Sequence, residues 1–233
     1  MIYIRSIIYT ALMFLSFLIL APIALLPRPI INNERRWQVA KTWATLNIFL
    51  SKKICGLTYK ISGLENSPKQ KCVVFAKHSS VYEIFILLRY FSPSSWVGKY
   101  ELMYLPIFRG VFKKFKLIPV KRGFGSSEVD RVKAEGKERL ESGNWIIIFP
   151  EGTRMPYKQS KKYGLSGAVL ARETGSKVLP VSHNAGKFWK RRGLVKRPGC
   201  ISFVVGQPID TENLDLDEIN SLSRAWIDDN VLG

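Results

Sequence analysis

The chain is short of three things: histidine, cysteine and acidic side chains. Of its 233 residues only two are histidine, His78 and His183, and three are cysteine. Cys55, Cys72 and Cys200 are odd in number, widely spaced and without a C-x-x-C pair. That excludes a disulfide framework and a thiolate zinc site, and it points to a reducing compartment with the cysteines as buried structural residues. No metal site is expected. Acidic residues number 18 against 36 Lys and Arg, a formal net charge of +18. Such a surface attracts polyanions: nucleic acid, an anionic membrane, or acidic and phosphorylated substrates. Long disorder is excluded too, because 46% of the residues are apolar. The length suits one domain with a full core and a short appendage. There is no internal repeat, low-complexity tract or linker.

What is present begins at the N-terminus. "IIYTALMFLSFLILAPIALL", Ile7 to Leu26, runs twenty residues without a charge. As a helix it would be about 30 Å long, roughly the hydrocarbon thickness of a bilayer. The run is long for a signal peptide, and "APIALLPRP" offers no clear A-x-A cleavage site, so a retained anchor is the reading. Arg28, Arg35, Arg36 and Lys41 follow it, whereas only Arg5 and the amino terminus precede it, which leaves the main domain in the cytoplasm. A second segment, 35 to 57, spaces Trp37, Ala40, Trp43, Ala44, Ile48 and Leu50 for a helix. Either it lies in the interface with its tryptophans at headgroup level, or its apolar stripe packs on the domain's own core. A hairpin dipping into one leaflet fits as well as a true span. Residues 1–55 are therefore read as membrane-anchoring helices and 56–233 as the main domain.

After Gly56 short apolar runs alternate with helical stretches. Strands are predicted at 57–62, 72–76, 116–120, 144–149, 177–182 and 200–205. Helices are predicted at 83–90, about 106–115, 126–142, 165–174 and 215–230, the last docked through Leu216, Ile219, Leu222 and Trp226. This alternation predicts an α/β domain whose largely parallel or mixed sheet is covered by helices. In such folds ligands bind where strands end.

Two segments sit at such ends. "KHSSVYEIF", 77 to 85, follows the apolar run "CVVFA". Its "SVYE" matches a capping box in which Ser80 would cap a helix and Glu83 return to the cap's backbone N–H. That explains the serine and the glutamate but not His78. A carboxylate one turn inside the helix can also swing back to His78, accept its Nδ1–H and stabilise the imidazolium formed when Nε2 takes a proton. His183, in "VSHNAG", is the rival base, but it has no carboxylate at a useful sequence spacing. The second segment is "IIIFPEGTRMP", where an apolar strand runs into Glu151, Gly152, Thr153 and Arg154. A surface turn accounts for Pro-Glu-Gly. The glycine also allows close approach to a ligand, and the arginine offers a planar fork of donors suited to phosphate.

Together these blocks resemble the glycerolipid acyltransferase family, specifically the 1-acylglycerol-3-phosphate acyltransferases. Members carry an H-x4-D/E block and an F-P-E-G-T-R block in that order. "GVFKKFKLIPVKR", with Gly110 and Arg122, resembles the intermediate block, and "VLPVS" around Pro180 the fourth. The resemblance spans roughly residues 56 to 210. It departs at Glu83, where Asp is usual, and at Lys77, where many members have Asn.

The resemblance implies that 56–233 is an acyltransferase domain with His78 and Glu83 as its catalytic pair. Arg122, Glu151, Gly152, Thr153 and Arg154 would form the substrate phosphate site. The reaction implied is transfer of a fatty acyl group from acyl-CoA or acyl-carrier protein to the sn-2 hydroxyl of lysophosphatidic acid, giving phosphatidic acid. No cofactor is implied, and a bacterial-type inner membrane is the expected location. Anionic lipids are the expected partners of the basic runs 109–116 and 187–197, and nucleic acid is not. Another lysolipid or glycerol 3-phosphate as acceptor stays open. So does a non-catalytic basic protein that adheres to membrane or nucleic acid.

Overall fold

The computed structural model describes residues 1–121 and 125–231, so Arg122 lies outside the described residues. Two helices open the chain, α1 (Ile2–Leu25) and α2 (Asn33–Cys55). They fold back on each other. Asn47 donates to the Ser16 hydroxyl at 3.3 Å, and the Cys55 thiol meets the Arg5 carbonyl at 3.8 Å. The clasp is Arg36, only 3% exposed, whose guanidinium donates to the carbonyls of Ala24 at 2.8 Å and Leu26 at 3.1 Å. The last carbonyls of a helix lack partners within it, and a cation there also suits the helix dipole. Arg36 is thus a cap, not one of the free flanking cations the sequence suggests. Asn32 caps α2 through Arg35 N–H, and Gly56, at φ 65°, ends it in the left-handed conformation.

The hairpin lies along the main domain. At one end the backbone N–H of Lys196 donates to the Ser6 hydroxyl at 2.9 Å. At the other, Leu25 sits so close to Gly110 that a Cβ there would fall 2.7 Å from it. Trp37 and Trp43 meet Phe115 and Phe85 edge-on, with ring centroids 4.8 and 5.2 Å apart. Both tryptophans are half-buried and pack against aromatic rings of the main domain. What remains outside is apolar: Ile4, Ile7, Leu15, Leu18 and Ile19 of α1, with Leu46 and Phe49 of α2, are exposed. Helix α1, at 24 residues, is long and apolar enough to cross a membrane. It is attached to the main domain near both of its ends and leaves that apolar face uncovered.

The main domain is built on seven strands: β1 (Leu57–Ser62), β2 (Val73–Ala76), β3 (Ser94–Lys99), β4 (Ile118–Val120), β5 (Trp145–Ile148), β6 (Val178–His183) and β7 (Gly199–Val205). Their order is β1-β7-β6-β2-β5-β3-β4. Every pairing is parallel except β6 with β7, so β1 and β7 run opposite to the other five. The sheet is mixed. Strand β3 is not foreseen by the sequence pattern, because "SSWVGK" begins with two serines and carries Gly98. That glycine is needed by packing, since a Cβ would lie 2.8 Å from the Phe112 ring of α4 (Pro106–Lys114).

The strand pleat sorts the core. Val73 and Phe75 face one layer with Ala168, Leu170, Ile219 and Ile227, contributed by α6 (Ser166–Glu173) and α8 (Leu216–Asp229). Val74 and Ala76 face the other with Leu87 and Phe91 at and just beyond α3 (Tyr82–Tyr90). Helix α5 (Ser126–Glu141) joins the first layer through Val132, and a short α7 (Ala185–Phe188) follows β6. Leu216, Ile219 and Trp226 dock α8 as the spacing predicts, but Leu222 is 50% exposed and turns away. Cys55 and Cys72 are buried, whereas Cys200 is exposed, on the outward side of the first turn of the β7 pleat. Strands β2, β5 and β6 are neighbours and parallel, so the segments leaving their C-terminal ends emerge on one edge of the sheet. His78, Glu151 and His183 are all carried to that edge.

Candidate active site

The chain leaves β2 at Ala76 and passes through Lys77 and His78 before α3 begins. The His78 imidazole is 15% exposed, and its Nδ1 lies 2.8 Å from Oε1 of Glu83, which is fully buried. Glu83 also accepts the backbone N–H of Ser79 at 3.2 Å and of Ser80 at 2.8 Å. Half of the expected capping box is therefore real. Glu83 returns to the Ser80 N–H, but the helix starts one residue late, and the Ser80 hydroxyl accepts from Tyr82 N–H at 3.3 Å. One carboxylate thus closes the loop and holds the imidazole. Burial alone would push the Glu83 carboxyl up. The bond from His78 and the positive charge around it, Arg154 included, outweigh burial and hold it below the usual carboxylate range.

With Nδ1–H committed to Glu83, Nε2 is the nitrogen left to receive a proton. The ring is clamped from one side by Phe149, stacked at a centroid distance of 4.0 Å and 19° between planes. His78 therefore has a fixed tautomer and a fixed plane, which is what a general base needs.

His183 is fixed differently. Its Nε2 faces the Lys77 carbonyl at 2.9 Å and its Nδ1 faces the Ala185 N–H at 3.2 Å. A carbonyl only accepts and an amide N–H only donates, so the ring is a neutral Nε2–H tautomer with both nitrogens engaged. Burial pushes its pKa down, in keeping with that form. Glu83 Oε2 lies 3.7 Å from it, a carboxylate that sequence spacing could not show. His183 is a buried brace.

The second segment meets the first through backbone. The His78 N–H donates to Glu151 Oε2 at 3.1 Å, and the Met155 N–H donates to the His78 carbonyl at 2.7 Å. The other Glu151 oxygen accepts from Lys77 Nζ at 2.7 Å. Both Glu151 oxygens therefore face inward, onto the loop that carries His78, and the residue positions that loop instead of reaching out towards an anion. Burial nevertheless pushes its carboxyl up, with Lys77 and the His78 N–H pulling the other way. Lys77 is the unforeseen member. It is 1% exposed and also reaches the Gln159 carbonyl at 2.6 Å and Asp228 at 3.4 Å, tying α8 to the same loop. A lysine directly after "VVFA" was the available signal.

Gly152 closes a tight turn at φ 66°, its N–H donating to the Phe149 carbonyl at 2.9 Å. That conformation is disfavoured for any residue with a Cβ. Thr153 and Arg154 follow, both half-buried. Arg154 lines a groove of about 280 Å³ together with Ser80 and Val81, two and three residues beyond His78. Its Nε is buried without a hydrogen-bond partner. The structure thus brings His78, Glu83, Glu151 and Arg154 together around two cross-bonded loops. Arg122 lies outside the described residues, so its place at the site is not part of that geometry. A larger cavity of about 400 Å³ opens at the opposite edge, where β2 and β6 begin. Its lining mixes Lys71, Lys137 and Lys177 with Glu141 and Glu173, and neither histidine is part of it.

A family model described as acyltransferase matches residues 58–184, more than half of the chain. The chain belongs to the acyltransferase family. The 1-acyl-sn-glycerol-3-phosphate acyltransferase of Pseudomonas aeruginosa is 34% identical over 232 residues, covering 98% of this chain and 90% of that protein. The Saccharomyces cerevisiae protein of the same name is 29% identical over 211 residues, 81% of this chain and 64% of its own length. Among solved structures, the 1-acyl-sn-glycerophosphate acyltransferase PlsC of Thermotoga maritima superposes with a TM-score of 0.76 at 19% identity. That superposition covers 98% of this chain and 95% of that one, and the two share the fold. The matched stretch contains both cross-bonded loops and all seven proposed site residues.

Proposed function

We propose that the chain transfers a fatty acyl group from acyl-CoA or acyl-carrier protein to the sn-2 hydroxyl of 1-acylglycerol 3-phosphate, yielding phosphatidic acid. The observation that carries the chemistry is the His78–Glu83 pair, with Nδ1 held at 2.8 Å and the stacked ring leaving Nε2 to act. The shared name of these relatives, and near-complete coverage of the Pseudomonas aeruginosa protein, support the acceptor.

In the reaction His78 Nε2 takes the proton of the acceptor hydroxyl as its oxygen attacks the thioester carbonyl. The C–O bond forms, the C–S bond breaks, and the proton passes from the imidazolium to the departing thiolate. Glu83 stabilises the imidazolium meanwhile. No covalent acyl-enzyme is required. Arg154, with Arg122, binds the acceptor phosphate, while Gly152 and Thr153 shape the loop that presents it.

The apolar hairpin supports membrane association, with its outer face in one leaflet and the basic surface against anionic headgroups. On this reading the main domain sits on the cytoplasmic face. The deciding experiment is transfer of a labelled acyl group to a panel of acceptors by the purified full chain and by His78→Ala. Turnover that prefers another lysolipid or glycerol 3-phosphate would replace the acceptor. Equal turnover by His78→Ala would remove the mechanism.

A further inference from the structure

The groove that Arg154 lines is shared with residues of α1 and with the segment after α7. Thr10, Met13 and Phe14 of α1 line it, as do Lys190, Arg191 and Arg192. These three cations are exposed, and none pairs with a carboxylate among the described residues. In the same groove the Arg154 Nε is a buried donor with nothing to donate to, which in a folded protein calls for an acceptor from outside.

The segment carrying these cations is firmly mounted. Gly193 N–H donates to the Lys190 carbonyl at 2.9 Å, closing a turn, and the Trp189 indole N–H donates to the Gly193 carbonyl at 3.0 Å. Within the turn Arg192 adopts φ 55°, a left-handed conformation disfavoured for a residue with a Cβ. Behind it Lys196, 1% exposed, places its ammonium 4.6 Å from the Trp189 ring centroid and bonds to Ser6 and Thr10 of α1. The cations therefore project from a braced turn and not from a loose tail.

We propose that this turn, with Arg191 and Arg192 as its principal ligands, binds the phosphate at the end of the acyl donor's pantetheine arm. The inference rests on the acyl-transfer reading above. It follows from where the two substrates carry their charge. In lysophosphatidate the phosphate and the free hydroxyl sit on neighbouring carbons, so its cations must lie close to His78, as Arg154 does. A thioester donor carries its phosphate a whole pantetheine arm away from the reacting carbonyl. Cations at 190–192 line the same groove as Arg154 from a separate segment, and a second phosphate is what they would take. Planar guanidinium forks suit phosphate oxygens. Both acyl-CoA and acyl-carrier protein end the arm in phosphate, so the chemistry is shared and the source is left to the test.

The test uses the purified full chain in mixed micelles and the exposed double substitution Arg191→Gln/Arg192→Gln, which removes no buried contact. KM is measured for acyl-CoA, for acyl-carrier protein, for phosphate-free acyl-pantetheine and for lysophosphatidate. Loss of two charge-assisted contacts is expected to raise KM about tenfold or more for the donor whose phosphate is bound. KM for lysophosphatidate should hold, and the variant should no longer distinguish that donor from acyl-pantetheine. A rise confined to acyl-CoA assigns the nucleotide donor, and one confined to acyl-carrier protein assigns the carrier. The proposal is overturned if neither donor KM moves, if the shift falls on lysophosphatidate, or if only binding to phosphatidylglycerol vesicles weakens. Calorimetric titration of CoA and of holo-carrier protein separates the two readings. Binding that depends on Arg191 and Arg192, without transfer to lysophosphatidate, sinks the proposed acceptor and leaves the groove. Transfer that ignores both arginines does the reverse.

Discussion

The Met155 N–H and the His78 carbonyl are joined at 2.7 Å, a single bond that fastens the loop after β5 to the loop after β2. With the His78 N–H on Glu151 it makes the two segments one rigid unit, so the proposed general base and Arg154 keep a fixed separation. Such preorganisation matters because small displacements of a positioned group cost rate steeply.

His78→Ala should reduce kcat by about two to four orders of magnitude, the range spanned by general-base catalysis. Glu83→Gln should fall in the same direction while the chain stays on vesicles, as sedimentation would show. The Glu83 carboxyl is held low in the folded state, so its stabilising contribution is full above the unfolded carboxylate pKa. It is lost as pH falls through the lower folded value. Acid unfolding followed by circular dichroism should accordingly be less steep in Glu83→Gln than in the parent.

Lys77→Met should destabilise the fold by about 3–5 kcal/mol, the cost of leaving a buried charge without its partner. Lys77 and Glu151 are 1% and 0% exposed at the side chain, so solvent offers no relief. Adding Glu151→Gln should recover part of that loss. Urea unfolding of the two variants checks it, and equal stabilities would contradict the pairing.

The Lys196 ammonium is buried between Trp189 and Tyr9, and burial lowers its pKa from 10.5 to about 8. Between those values the unfolded chain binds more protons than the folded one, so stability rises with pH across that window. Thermal melts from pH 7.5 to 10 should show this rise in the parent and lose it in Lys196→Met. A rise of the same size in both would assign it elsewhere.

Gly110→Val should loosen the hairpin. A Cβ at 110 would meet Leu25 Cδ1 at 2.7 Å, the flexible end of a side chain, so a single methyl can be accommodated where a branched chain cannot. Hydrogen exchange in the last turns of α1 should accelerate in Gly110→Val and remain near parental in Gly110→Ala.

Much of this was legible because apolar runs and turn residues act locally. All six expected strands exist, with edges moved by a residue or two, and the five expected main-domain helices are where the spacing puts them, while the short α7 was not foreseen. Strand β3 escaped because Ser94 and Ser95 are buried by their neighbours in the sheet and not by their own hydrophobicity. The reversed pair β1 and β7 escaped because apolar alternation carries no direction. At the site, the His78–Glu83 pair follows from a five-residue spacing. The Lys77–Glu151 bridge joins positions 74 residues apart, and the role of Gly110 depends on Leu25; neither is written in any local pattern.

The latch between Ser6 and Lys196 joins positions 190 residues apart. During synthesis the greasy first helix emerges when the turn that will receive it has yet to be translated. Helix α2, made directly after it, can cover one side at once, but the partner at Lys196 comes last. The groove beside Arg154 is lined by α1 and by residues 189–194 and 196, so it comes into being only with that final closure.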